Sequence, residues 1–403
     1  MTFNWFISKK VRQATAMRKH VQKILNHQRD ILPPKSVEAV ELVLNDTRKA
    51  VAENAAPELL EKQMENLETV ANKWLKPYPN AAWRENVEVL LVALAVAMGI
   101  RTFFLQPFKI PTGSMQPTLY GVTSIPDFSR GYDESSATGA ANVVMPSGFD
   151  RIREWFAGAS FLDIKAKVDG ELERVNPPFK LLIFSLYQTL EIGGTTHRVF
   201  FPPDYGSSSL EARAGLRLGT VYKKGDQVVR MKVVNGDHLF VDRVTFNFRT
   251  PERGEIIVFE TKGIPDAFRE YFRIPADQFY IKRLVGLGGE TIKLSEDRHL
   301  NIDGKRLDSS TPHFEKVYSF DPRQPPRESH YSGHVDTAQL APFFRDHPEG
   351  VAIPKGHFMV MGDNTMNSLD SRAWGYFPAN YLIGKSFFVY WPITDRFGWG
   401  YHR

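Results

Sequence analysis

Residues 278–294 read QFYIKRLVGLGGETIKL. Two runs rich in β-branched and aromatic residues, QFYIKRLVGL (278–287) and ETIKL (290–294), flank a glycine cluster, the pattern of strand, turn and strand. Gly286-Leu-Gly-Gly289 superficially suggests a phosphate-binding loop, but it follows no βαβ pattern and opens no helix, so it reads as a strand-to-strand turn. The same texture continues outward, with HLFVDRVTF (238–246) and EIIVFE (255–260) before it and SFFVYWPI (386–393) after it, separated by Gly, Pro and Asp. Asn301-Ile-Asp-Gly-Lys305 predicts a hairpin turning at Asp303-Gly304. The part of the chain beyond residue 107 is therefore expected to be mainly β, a largely antiparallel domain. Within it the apolar run LLIFSLYQTL (181–190) is too short to cross a bilayer and is expected to be a buried strand.

Upstream the period changes. Val40, Val43, Leu44 and Val51, then Leu60, Met64, Leu67, Ala71 and Trp74, recur at helical spacing. Pro33-Pro34 and Pro57 punctuate them, with Ser36 as the expected N-cap of one helix and Pro57 in the first turn of the next, so a helical hairpin is predicted. Between helices and strands runs VLLVALAVAMGIRTFFL (89–105), close to the roughly 20 residues that cross a bilayer. Arg101 lies near enough to its end to snorkel to the interface. Lys9, Lys10, Arg12, Arg18, Lys19, Lys23 and Arg29 precede the span and put the N-terminus on the cytoplasmic side. The expected organisation is a helical cytoplasmic segment (1–86), a transmembrane helix (87–106) and a β domain (107–403) with insertions at about 122–231 and 305–354.

The chain of 403 residues contains no cysteine, which excludes disulfides, thiolate metal sites and a cysteine nucleophile. Its formal charge of +5 is not gathered into a basic tract with interleaved aromatics, so nucleic acid is not an expected partner; a surface beside anionic lipid accounts for it better. Trp391, Phe397, Trp399 and Tyr401 near the C-terminus suit either a membrane interface or core packing.

Just past the span, Gln106-Pro-Phe-Lys-Ile-Pro-Thr-Gly-Ser-Met-Gln-Pro-Thr118 fixes the backbone around Ser114 with prolines and a glycine. A serine beside glycine is most often only a turn. As a nucleophile it needs a base within hydrogen-bond reach. No G-x-S-x-G elbow surrounds it, no H-E-x-x-H occurs, and His238 and His357 read as ordinary strand starts. Asp237, Asp242 and Glu255 read as turn or solvent residues rather than metal ligands. Lys282, in an otherwise apolar strand, either turns outward or is buried for a reason; burial would favour the neutral amine that a general base must be.

Five segments, in order, resemble type I signal peptidases, the bacterial leader peptidases with a Ser/Lys dyad: 107–119, NGDHLFVDRV (235–244), RGEIIVF (253–259), YIKRLVGLGGE (280–290) and 356–378, which contains GDNTMNSLDSRAWGYFP. The resemblance implies Ser114 as nucleophile, Lys282 as general base and Thr112 as the hydroxyl that joins the Ser114 N–H in an oxyanion hole. It implies Ser368 as the group that orients the lysine amine, and Asp370 and Arg372 as structural support. Thr365 stands where the family commonly has arginine, which places the local loop contacts in question. Phe108, Ile110, Met115, Tyr280 and Ile281 are implied to line a cleft for an extended substrate. The activity implied is removal of signal peptides from exported preproteins after small residues (A-x-A sites) at the bacterial cytoplasmic membrane, with the catalytic domain on the periplasmic or extracellular side. Preproteins and membrane lipid are the implied partners, the protein translocation machinery is a further candidate, and neither cofactor nor metal is implied.

Overall fold

The computed structural model describes residues 8–53, 55–76, 81–129, 142–182, 184–319 and 333–399; Tyr401 lies outside them. The chain divides into two compact units, 1–94 and 95–403.

The first unit holds three amphipathic helices, α1 (Lys9–Gln28), α2 (Pro34–Ala52) and α3 (Pro57–Trp74), and the start of α4 (Ala81–Phe103). Leu25, Val40, Val43, Leu44 and Leu67 meet in one core, so the expected hairpin is a bundle of three. Pro57 opens α3 as predicted, but α2 begins at Pro34, and Ser36 is buried within its first turn rather than capping it. A proline at the first helical position forgoes an N–H that has no partner there anyway, and the start lies three residues upstream of the expected one. Buried Gln28 ties α1 to the end of α3, exchanging hydrogen bonds of 2.7 and 3.0 Å with the Lys76 backbone.

Within α4, Trp83–Phe103 is long and apolar enough to cross a membrane, and none of it is buried by protein. The helix stops at Phe103; Leu105 and Gln106, expected within the transmembrane helix (87–106), open β1 (Leu105–Lys109).

Beyond β1 comes the first insertion. It contains β2 (Thr123–Ile125), helix α5 (Gly148–Phe156), β3 (Ala159–Lys165), β4 (Gly170–Val175), β5 (Phe179–Leu181), β6 (Phe184–Ile192), β7 (Thr195–Phe200), β8 (Val221–Tyr222) and β9 (Gln227–Val234). Its own core includes Leu162, Leu172, Leu190, Ile192, Met231 and Val233. The run 181–190 is not a uniformly buried strand. Leu181, Leu182 and Phe184 form the exposed tip of the β5–β6 hairpin, and only the far half of β6 enters the core.

The chain then returns through β10 (His238–Asp242), β11 (Ile256–Glu260), β12 (Phe279–Leu287), β13 (Thr291–Leu294), β14 (Leu300–Ile302), β15 (Lys305–Arg306), β16 (Val351–Ala352), β17 (His357–Met361), β18 (Phe377–Pro378) and β19 (Leu382–Trp391). Asp303 and Gly304 both take positive φ between β14 and β15, as a two-residue hairpin requires. Seven strands form one antiparallel sheet in the order β1-β10-β19-β11-β12-β17-β18. It curls strongly: the Phe108 ring on edge strand β1 meets that of Phe279 on β12, four strands away in the order, at 5.4 Å. The second insertion packs Phe314, Val317, Tyr318 and Phe344 against Val285 of β12 and Met359 and Met361 of β17. It therefore shares the core of this sheet.

Candidate active site

Curling brings the segment after β1 over β12. Ile110–Tyr120 bulges out of the sheet as a chain of turns, with Thr118 and Leu119 both donating to the Met115 carbonyl at 2.9 Å. Both ends of the bulge are held by Asp237, which is wholly buried. Its carbonyl accepts from the Ile110 N–H at 2.9 Å, its N–H donates to the Tyr120 carbonyl at 2.8 Å, and its carboxylate accepts from the Tyr120 N–H at 2.7 Å. Burial raises the Asp237 pKa, while the Arg396 guanidinium, forked on it at 2.9 and 3.1 Å, opposes the rise. Asp237 was expected in a turn or facing solvent; it is the clamp of the serine loop.

Beneath the loop, the β12 segment 282–286 is buried on both faces, so strand alternation does not send its lysine to water. Lys282 Nζ donates to Ser114 Oγ at 2.8 Å and to the Ile281 carbonyl at 3.0 Å; the two residues are 4% and 6% exposed. Burial lowers the amine pKa to about 8, and Arg372 adds to the effect, while Asp370 and Asp363 work against it.

The third wall is the loop between β17 and β18. The Asn364 N–H donates to the Ser114 carbonyl at 3.1 Å, and its side-chain amide donates to the Gly113 carbonyl at 2.8 Å. Arg283 forks onto Asp363 at 2.8 and 2.5 Å, and the Thr118 hydroxyl donates to the same carboxylate at 2.5 Å, so lysine strand, serine loop and this loop share one buried ion pair. A Cβ at Gly362 would overlap both Ser368 Oγ and the Ser114 carbonyl oxygen, so only glycine fits there.

Arg372 forks onto Asp370 with two bonds of 2.9 Å, both residues being fully buried. Burial by itself would raise the Asp370 pKa, but the Arg372 charge and hydrogen bonds outweigh it and keep the carboxyl below its usual range. The supporting pair is thus an interior one rather than a surface contact. The Thr365 hydroxyl accepts from Arg372 Nη1 at 3.0 Å and from the Val335 N–H at 2.6 Å, which fastens the second insertion to this loop.

Thr112 is exposed two residues before Ser114. Ser368 is buried beside Gly362, and among the described residues its hydroxyl makes no hydrogen bond to Lys282; its approach to Asp370 helps hold that carboxylate charged. Of the implied cleft residues, Phe108, Tyr280 and Ile281 keep exposed surface, whereas Ile110 and Met115 belong to the core with Leu119, Leu239 and Val258. Asp242 and Glu255 serve a turn and an ion-pair cluster: Asp242 accepts from the Val244 N–H at 2.7 Å, and Glu255 meets Arg249 Nη2 at 2.5 Å.

Residues 83–134 and 222–391 match the family described as "Signal peptidase, peptidase S26". A probable signal peptidase I-2 from Synechocystis sp. is 28% identical over 39% of this chain and 56% of its own length. A signal peptidase I from Leptolyngbya laminosa is 31% identical over 39% of this chain and 62% of its own. The chain thus covers less than two thirds of these curated relatives. A solved signal peptidase I from Enterococcus faecalis V583 aligns at 25% identity, covering 34% of this chain and 97% of that one, with a TM-score of 0.23.

Proposed function

The chain belongs to the signal peptidase S26 family, and from that premise we propose that it is a membrane-anchored serine endopeptidase that removes signal peptides from exported preproteins. The observation that carries this is the buried hydrogen bond of 2.8 Å between Lys282 Nζ and Ser114 Oγ, with the amine brought to a pKa of about 8. A desolvated lysine near neutrality has a usable fraction of neutral amine, which a serine needs to become a nucleophile.

In the proposed reaction the neutral Lys282 amine accepts the Ser114 proton as Oγ bonds to the scissile carbonyl carbon. The oxyanion is met by the Ser114 N–H and, after reorientation, the Thr112 hydroxyl. Each such donor lowers the barrier by about 3 kcal/mol. Collapse of the tetrahedral adduct breaks the C–N bond as the Lys282 ammonium protonates the leaving amine. Water, deprotonated by the same amine, then hydrolyses the acyl-enzyme. Ser368 is the buried hydroxyl available to orient the amine once substrate is seated.

The substrate is an extended strand lying between the segment that follows β1 and β12, where Phe108, Tyr280 and Ile281 offer exposed surface. β1 is an edge of its sheet, which suits recognition by strand addition. Shallow subsites there select small residues in the A-x-A manner. The anchor is α4, with the bundle on the cytoplasmic side and the β domain on the other, and the translocation machinery is a candidate neighbour of the bundle.

The test is cleavage of a preprotein by detergent-solubilised wild type, Ser114→Ala and Lys282→Ala, with product termini mapped by mass spectrometry. Wild type cleaves after a small residue, and each variant loses activity by ~10⁴-fold or more. Equal activity in all three sinks the mechanism.

A further inference from the structure

Residues 135–221 lie outside the family match, and the proteolytic reading gives them no work. They carry an unusual surface. At the β5–β6 tip and the end of β7, Leu182 is 91% exposed and Phe201 75%, with Phe184 and Phe200 also largely exposed. Register explains the grouping: Phe179 and Phe200 pair with Tyr187 from its two sides, so the apolar side chains of three strands gather at one end of the sheet.

A second apolar element stands beside the first. Helix α5, GFDRIREWF (148–156), carries Phe149, Ile152, Trp155 and Phe156 and buries none of its residues fully. It is anchored to the catalytic sheet, since Trp155 packs on Trp391 at 5.2 Å and the Phe156 carbonyl accepts from the Ile393 N–H at 2.9 Å. Phe149, 79% exposed, is left facing solvent.

Trp155 from the helix and Phe200 and Phe201 from the strands line one open groove of about 740 Å³, floored by the outward face of β3. Arg151, Lys165, Lys167 and Arg198 also line it, each exposed and none in an ion pair with a described residue. Among the described residues the one carboxylate on its wall, Asp163, is engaged by the Gln227 amide at 2.8 Å. Exposed cations and aromatics lining one groove, with protruding apolar residues on the same insertion, are the chemistry of an anionic bilayer surface, with side chains entering the acyl boundary and headgroup phosphates meeting the cations. An apolar patch of this kind is not left bare without a partner, and α4 supplies a bilayer to which the domain is tethered.

We propose that the first insertion is a lipid-docking module: the β5–β6 tip and α5 insert into the interface of an anionic membrane while Arg151, Lys165, Lys167 and Arg198 bind its headgroups. The absence of cysteine makes the test direct. The full chain bearing Leu182→Cys or Phe149→Cys with an environment-sensitive dye is reconstituted into vesicles of phosphatidylcholine alone or with one quarter phosphatidylglycerol, and quenching by doxyl-labelled lipid is measured. Ser309→Cys, in the second insertion, is the control.

Quenching at 149 and 182, absent at 309 and stronger with phosphatidylglycerol, supports the proposal. Neutralising the four cations to Gln then lowers the docked fraction, by about fivefold in equilibrium constant per residue. Unquenched dye in both vesicles overturns it, as does quenching that ignores the anionic lipid or that appears only when preprotein is added. Cleavage of a short soluble peptide by the four-cation variant reports folding, and its retention separates lost docking from lost structure.

Discussion

The active-site wall and the groove of the first insertion are both rich in cations, and they treat them in opposite ways. Arg283 and Arg372 are fully enclosed, each forked on an aspartate of one short loop, and Lys282 is enclosed with a hydroxyl and a carbonyl, rather than a carboxylate, as its hydrogen-bond acceptors. Arg151, Lys165, Lys167 and Arg198 are exposed, Arg198 lying over the Tyr187 ring at 4.8 Å. A buried charge is held by its partners, and one left unpaired shifts its pKa; an exposed charge keeps its hydration and can turn to an external partner. The contrast marks one region as built for internal chemistry and the other as built for contact.

The largest effect that sharpens this contrast is expected from Arg372→Ala. Losing one member of a buried pair strands Asp370 and costs about 3–5 kcal/mol, whereas Lys165→Ala costs less than about 0.5 kcal/mol. Equal shifts in a urea melt would break the comparison.

Next comes Lys282→Met. In the unfolded chain the lysine keeps its proton up to 10.5, while in the folded protein it releases it near 8. Between those values the unfolded state binds more protons, so this residue makes stability rise with pH from about 8 to 10.5; below 8 the buried ammonium costs ~3 kcal/mol. The Met variant therefore loses that slope and melts no lower than wild type at pH 7. Under the proposed mechanism, in which the neutral amine is the base, wild-type cleavage is expected to rise through about pH 8.

Thr365→Val is a smaller change. It removes the acceptor for the Val335 N–H and one of those for Arg372, costing about 1–3 kcal/mol, and Thr365→Ser restores it. Smallest is Leu182→Ser at the exposed tip, expected within about 0.5 kcal/mol of wild type and without effect on a soluble peptide substrate. A large loss there would mean that the tip belongs to a core after all.

Much of the site is legible in local sequence. A hydroxyl between Gly113 and Met115, a lysine inside an apolar strand, the span near residue 100 and the Asp303-Gly304 turn each declare themselves within a few neighbouring positions. The role of Asp237 is not legible locally because the residues it clamps, Ile110 and Tyr120, lie more than 110 positions away. The exposure of Leu181, Leu182 and Phe184 at the start of the run 181–190 is hidden for a related reason: hydrophobicity says what burial would gain, not whether anything is there to cover it.

By itself the sequence determined the strand content, the apolar span, the order of the family segments and the identity of Ser114 and Lys282 as chemically apt groups. These depend on periodicity and on the nature of single side chains. Only the tertiary structure decided that serine and lysine meet at 2.8 Å, that Arg283 and Asp363 join three segments, that Thr365 takes a backbone donor from the second insertion, and that Leu182 and Phe201 face solvent. Desolvation and long-range pairing are properties of what surrounds a residue, and the surroundings are assembled from parts of the chain that no local window contains.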